Sequence, residues 1–227
     1  MNIKVLSTIA TKEAYLELVP QFERTSGQTV VTTWAGTVDV MKRVGGGEVH
    51  DLVMISVPQI DQLIQQAHIV PGSRVDIAKS GIGVCVRAGA PRPDISSGEA
   101  LKRTLLAAKT VGYTSGPSGV YMAELMERFG IAAEVKAKHR SVPSGGTIGT
   151  IVAAGEAEIG FQQVSELVHI KGIDYIGPLP PDVQRVTIFS SGIHVGASNP
   201  DGARALVRFL TAPAAHPVIK AAGLELP

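Results

Sequence analysis

Residues 111–130, VGYTSGPSGVYMAELMERFG, decide how the chain is read. Val111 and Tyr113 suit a short buried strand. Ser118 suits a helix N-cap. Val120, Ala123, Met126 and Phe129 recur near one helical face, and Gly130 suits the stop. Between strand and helix lies Thr114-Ser115-Gly116-Pro117-Ser118-Gly119: hydroxyls, glycines and a proline. A helix start carries unpaired backbone N–H groups and the positive end of the helix dipole, so it can hold an anion without a charged side chain. Taken alone, these residues also describe an ordinary βα turn. The anion reading gains weight because the chain repeats the arrangement.

Upstream, residues 3–9 (IKVLSTI) predict a first strand. A helix follows with Tyr15, Leu18, Val19 and Phe22 on its buried face, ending at Gly27. QTVVTTW is a β-branched second strand, followed by Ala35-Gly36-Thr37 and a short helix to Val44. Residues 51–56 (DLVMIS) are apolar enough for a parallel strand covered on both faces. Ile60, Leu63 and Ile64 mark the next helix. Residues 76–88 form a long strand-like run, and Ser96-Ser97-Gly98-Glu99 predicts a capping box before a helix around 100–107. Downstream of the opening stretch, 136–142 predicts a strand, PSGGTIG leads into a helix ending at Gly155, and 158–164 predicts another strand. A second long run covers 183–196, and two helices close the chain at about 200–210 and 217–222.

Steady alternation of strand and helix is the signature of an α/β fold. The two long runs bracket a middle segment able to fold as its own α/β unit. The expectation is therefore two lobes joined by two crossover strands, with residues 1–80 and 188–227 in one and 81–187 in the other, and a ligand cleft between them. In open α/β sheets, ligands sit beyond the carboxyl ends of the strands. Ser7, Thr8, Gly36, Thr37, Ser118, Gly119, Gly145, Gly146 and Gln163 fall at such ends and are the predicted ligand-binding set. They are small, hydroxylic or amide residues that bind through backbone N–H, hydroxyl and amide groups.

Composition narrows the function classes. With 21 basic and 20 acidic residues interspersed, the chain offers no basic footprint for nucleic acid. Its single cysteine, Cys85, sits in an apolar run and rules out an internal disulfide or a cysteine cluster for zinc. The six histidines show no metal spacing, and no phosphate-binding P-loop, dinucleotide fingerprint or nucleophile elbow occurs. No metal and no cofactor are expected. The chain enters a strand at once, without the charged and apolar segments of a signal peptide. It is read either as cytoplasmic or as a mature chain whose signal peptide was removed, with Met1 added.

Four segments in order carry a family resemblance: AGTVDVMKRV with DLVMIS, GPSGVYMAELMERFGI, VAAGEAEIGFQQVSEL, and GIHVGASNPDGARALVRFLTAPAAHPVIKAAGL. Together they resemble the type II periplasmic solute-binding proteins, in the molybdate-binding branch of ABC transporter components. The resemblance implies a two-lobed periplasmic-binding fold, a periplasmic location, a small anionic ligand, a membrane permease as partner, and a monomer. Oxyanion-binding members use serines after the first strand and in the second loop, and a tyrosine in the middle lobe. Here those positions fall at Ala10, at Ala35-Gly36 with Thr37 keeping a hydroxyl, and near Gln163. Each lost hydrogen bond to a charge costs about 1.5–3 kcal/mol. The departure therefore favours an organic carboxylate over molybdate.

The chain also resembles, in overall pattern, an aconitate isomerase built on the same fold. Two expectations follow. A solute-binding protein needs no general base. An isomerase moving a proton on a small unsaturated acid needs one within hydrogen-bond reach of that proton, and Glu166, His139 and His194 are the candidates. Each has a plainer alternative: Glu166 facing solvent near a helix start, and the two histidines lying on strand surfaces.

Overall fold

The computed structural model describes residues 2–227. Its strands are β1 (Asn2–Ser7), β2 (Thr29–Trp34), β3 (Leu52–Ser56), β4 (Val75–Arg87), β5 (Val111–Tyr113), β6 (His139–Arg140), β7 (Ile159–Gln163), β8 (Ile173–Pro178) and β9 (Val186–Ile193). The chain divides into two units, Met1–Ser80 with Thr187–Pro227, and Gly81–Val186. It leaves the first unit within β4 and returns to it at the start of β9.

In the first unit the strand order is β2-β1-β3-β9-β4. The first three strands are parallel, with Ser7 opposite Trp34 on one side and Met54 on the other. Parallel neighbours need crossover connections, which helices Lys12–Ser26 and Thr37–Gly45 supply. Every residue of β3 is buried because both faces of the sheet are covered. Leu52 and Met54 join a layer with Tyr15, Phe22 and Leu206, while Val53 and Ile55 join another with Val40, Ile60 and Leu63. Truncating a central side chain such as Leu206 to alanine costs about 2–5 kcal/mol. β9 runs antiparallel to β3, with Leu52 opposite Ile193. It is tied to β4 by Ser190 Oγ, which donates to Asp76, and by Ser191 Oγ, which donates to the Val75 carbonyl.

In the second unit the order is β4-β7-β5-β6, with β8 also paired to β4. β5, β6 and β7 are parallel to one another, and β4 is antiparallel to β7 and β8. One face packs Ile82, Val84 and Phe161 against Leu101, Met122 and Leu125; the other packs Cys85 against Ile148, Val152 and Leu167. Cys85 is buried and free, its thiol pushed up to about 12 by that burial.

Several local expectations need correction. Gly116, not Ser118, is the N-cap of helix Pro117–Arg128, because Pro117 fits the first helical position and carries no N–H to leave unpaired. The Ser97 hydroxyl caps helix Gly98–Ala107 by accepting from Ala100 N, and Ser96 bonds Asp94 instead. The strand expected over 136–142 shrinks to two residues, preceded by a short helix, Ala132–Lys136. Val164 begins a helix, Val164–Leu167, and does not prolong β7. β8 was not anticipated: it is a partly exposed edge strand without clear alternation.

Candidate functional site

In the first unit the carboxyl ends of β1, β2 and β3 share one edge, as parallel pairing requires. Ser7 closes β1 fully buried, its hydroxyl donating to the Thr8 carbonyl, and Thr8 N donates to Met54 O. Gly36 is the N-cap of helix Thr37–Gly45 in an extended conformation, so Thr37 opens that helix. Ser56 ends β3 and its hydroxyl bonds Gln59. Ala10 lies buried in the turn Ile9–Thr11. Sequence reading missed Lys12, which begins the next helix at this edge; its Nζ sits 5.8 Å from the ring centre of Trp34, the last residue of β2.

In the second unit the ends of β5, β6 and β7 share an edge in the same way. Helix Pro117–Arg128 starts there with Ser118 and Gly119 buried in its first turn. A Cβ at Gly119 would lie 1.6 Å from the Thr114 carbonyl oxygen, so only glycine lets the helix start sit against the end of β5. Gly145 turns the 141–147 loop with φ +83°, and Gly146 N donates to Pro143 O. Gln163 ends β7 opposite Ile82 and is buried.

The same edge holds three residues with titratable or charged chemistry. The His139 ring stacks on Tyr113 at 3.7 Å between centroids, and its Nε2 bonds the Tyr113 carbonyl at 2.9 Å. A carbonyl only accepts, so Nε2 carries a proton. Arg140, exposed at the end of β6, donates to the His139 carbonyl; sequence reading missed it. Glu166 differs from expectation most. It is partly buried, its carboxyl being the enclosed portion, and burial pushes that carboxyl up to about 8 despite a hydrogen bond from Gln162. Gln162 is itself fixed: its Oε1 accepts from Ile148 N at 2.7 Å and its Nε2 lies 3.4 Å from Gly146 O. A fixed amide thus links the Glu166 carboxyl to the backbone of the glycine loop.

His194 is placed elsewhere. It follows β9, whose end lies beside the start of β3, so in the first unit it occupies the edge opposite Ser7 and Ser56. It is buried there and does not lie on a strand surface. Among the described residues, no group of three or more His, Cys, Asp or Glu converges as a metal site, and no helix is long and apolar enough to cross a membrane.

Comparison with known proteins places this architecture. The family described as bacterial extracellular solute-binding protein matches residues 3–225, and the chain belongs to that family. A relative from Pseudomonas sp., named aconitate isomerase, is 33% identical over 99% of this chain and 87% of its own length. The periplasmic molybdate-binding protein of Azotobacter vinelandii superposes with a TM-score of 0.83 at 19% identity, covering 99% of each chain. A sulfate-binding protein of Mycobacterium tuberculosis gives 0.77 at 16% identity, covering 99% of this chain and 86% of its own. The fold is that of the type II periplasmic binding proteins.

Proposed function

We propose that this member of the bacterial extracellular solute-binding family takes a small organic acid, through the strand-end donors described for each unit. In this reading it works outside the cytoplasm, delivering the ligand to an ABC-transporter permease. The observation that carries the reading is the donor set itself. Each edge combines hydroxyls, amides or a helix start with one cation, Lys12 in the first unit and Arg140 in the second. A carboxylate is well served by a cation and amide donors together, whereas Ala10 and Gly36 have no side-chain donor for a tetrahedral oxyanion. The test is thermal unfolding with a panel of di- and tricarboxylates against molybdate, tungstate and sulfate. A ligand at a hundredfold excess over Kd adds about 2.7 kcal/mol. A carboxylate is expected to raise the melting temperature while the oxyanions leave it unchanged; a strong molybdate shift would overturn the ligand assignment.

A second reading, isomerase, is favoured by the aconitate isomerase relative and by the state of Glu166. A carboxyl that titrates near neutrality suits proton transfer in either direction. In this reading the ionised group removes a proton from the carbon next to a carboxylate, the double bond shifts, and the proton returns at the far carbon. Incubation with trans-aconitate and detection of the cis isomer decides it. Conversion that disappears in Glu166→Gln makes the protein an enzyme; none above the uncatalysed rate leaves it a binder.

A further inference from the structure

The surroundings of Glu166 are poor in charge. Helix Ile148–Ala153 and β7, which pack on its short helix Val164–Leu167, carry no titratable side chain. Nearby, β8 carries Tyr175, and Asp174, whose carboxylate accepts from Gly89 N. β6, which leads into the glycine loop, carries His139, bonded to the Tyr113 carbonyl, and Arg140, bonded to the His139 carbonyl. His169 and Lys171 follow along the chain. Among the described residues no ion pair involves Glu166. Its link runs through Gln162 to Ile148 N and Gly146 O, the backbone at the carboxyl end of the loop at the candidate site.

An ionised Glu166 and a bound carboxylate would therefore be two like charges near one loop, with no cation paired to Glu166. Like charge disfavours ionisation of the neighbour. We propose that organic-acid binding at this site is proton-coupled, the ligand being taken up together with a proton held on Glu166. Gln162 is the positioning residue: its Nε2 carries two hydrogens, one facing Gly146 O and one the Glu166 carboxyl, so the charge state of Glu166 is felt at the loop through this one amide. The burial that raises the Glu166 carboxyl to about 8 puts this exchange within the working range of a bacterial exterior. The inference rests on the carboxylate reading above, and goes beyond it in fixing what accompanies the ligand.

The test uses tricarballylate, a saturated tricarboxylate with no double bond to shift, so turnover cannot mimic binding heat. Calorimetric titration at about pH 8.5 in Tris and in Bicine, whose ionisation heats differ, counts the protons exchanged. Net uptake of a large fraction of one proton is expected, with affinity about tenfold weaker at pH 9 than at pH 7. Glu166→Gln should bind with no uptake and an affinity that varies less than about twofold over that range. Glu166→Asp, which keeps a titrating group, should restore part of the slope. Binding by the wild type with no proton uptake, or uptake unchanged in Glu166→Gln, overturns the coupling while leaving the carboxylate reading intact. No binding heat and no thermal shift with any carboxylate overturns that reading and the coupling with it.

Discussion

Two acidic side chains, one in each unit, show what burial alone does not decide. Asp51 precedes β3 in the first unit and is 1% exposed. Burial pushes its carboxyl up, yet its value lies below the ordinary one. The Lys4 and Asn199 backbone N–H groups, each at 2.7 Å, and the Ser198 hydroxyl at 3.1 Å stabilise the anion. Glu166, in the second unit, has the Gln162 amide, and burial wins. Donors and enclosure of the carboxyl together set the charge: Asp51 has several donors, while the Glu166 carboxyl is fully enclosed with one. Asp51 acts as a fixed staple joining β1 to the loop before helix Pro200–Leu210; Glu166 is left able to change state.

Removing the staple should produce the largest effect. Asp51→Ala leaves buried backbone donors at Lys4 and Asn199 without their acceptor, at about 1–3 kcal/mol for each, so a loss of about 3–5 kcal/mol is expected in urea unfolding. Asp51→Asn keeps one acceptor oxygen and should lose about half as much. The pH signature has a definite sign. The folded value is depressed, so this stabilisation is present above the ordinary carboxylate range near pH 4 and disappears as pH falls through the lower folded value. A loss below about 1 kcal/mol for Asp51→Ala would erase the contrast with Glu166.

The same contrast explains how far the sequence could be read. β3 was legible because a covered parallel strand is an apolar run, and Gly119 because a helix start supplies N–H donors whatever the side chain; the close approach that requires glycine there was not foreseen. β8 was not, since a partly exposed edge strand gives neither an apolar run nor alternation. Helices Ala132–Lys136 and Val164–Leu167 are too short to display a helical period. The strand-end residues were legible by type, but the condition of Glu166 was not. It depends on an amide fixed by Ile148 N, a contact between a strand and the start of the helix before it that the order of residues does not reveal. Lys12 and Arg140 were missed for a simpler reason: a single cation at a helix or strand end looks like any solvated charge.

Glu166→Gln tests the other half of the comparison, with an intermediate effect of opposite sign. The Glu166 value is raised, so its contribution to stability is complete below the ordinary glutamate range near pH 4.3 and is lost as pH rises through about 8. Glutamine does not titrate. Between about pH 5 and pH 9 the variant should gain on the wild type by about 2 kcal/mol, less than the whole shift implies because relaxation and water entry offset part of the burial when the carboxyl ionises. Equal pH profiles for the two proteins would show that Glu166 ionises freely, as a solvent-facing glutamate does.

The smallest expected effect comes from His194, which shares the first-unit edge with Asp51 and shows a third outcome. Its Nδ1 accepts from Gly196 N at 3.0 Å, so the neutral ring carries its proton on Nε2, which is buried with no hydrogen-bond partner. Taking a second proton means placing it on Nδ1, breaking the Gly196 bond, and burying a charge. The ring of His68 lies 6.5 Å away and His50 also faces it. Burial foremost, then His68 and His50, hold His194 below the ordinary histidine value. The unfolded chain therefore binds the proton more readily than the folded one. Stability is retained above about pH 6.5 and lost as pH falls below it. In His194→Asn the amide oxygen can still accept from the N–H two residues on, as asparagine does in turns, but nothing titrates. Between about pH 7.5 and pH 5 the wild type should lose about 1 kcal/mol more than this variant in urea unfolding. Parallel profiles would mean that His194 keeps an ordinary proton affinity, and that an unpartnered buried nitrogen beside two further imidazoles carries no penalty on protonation.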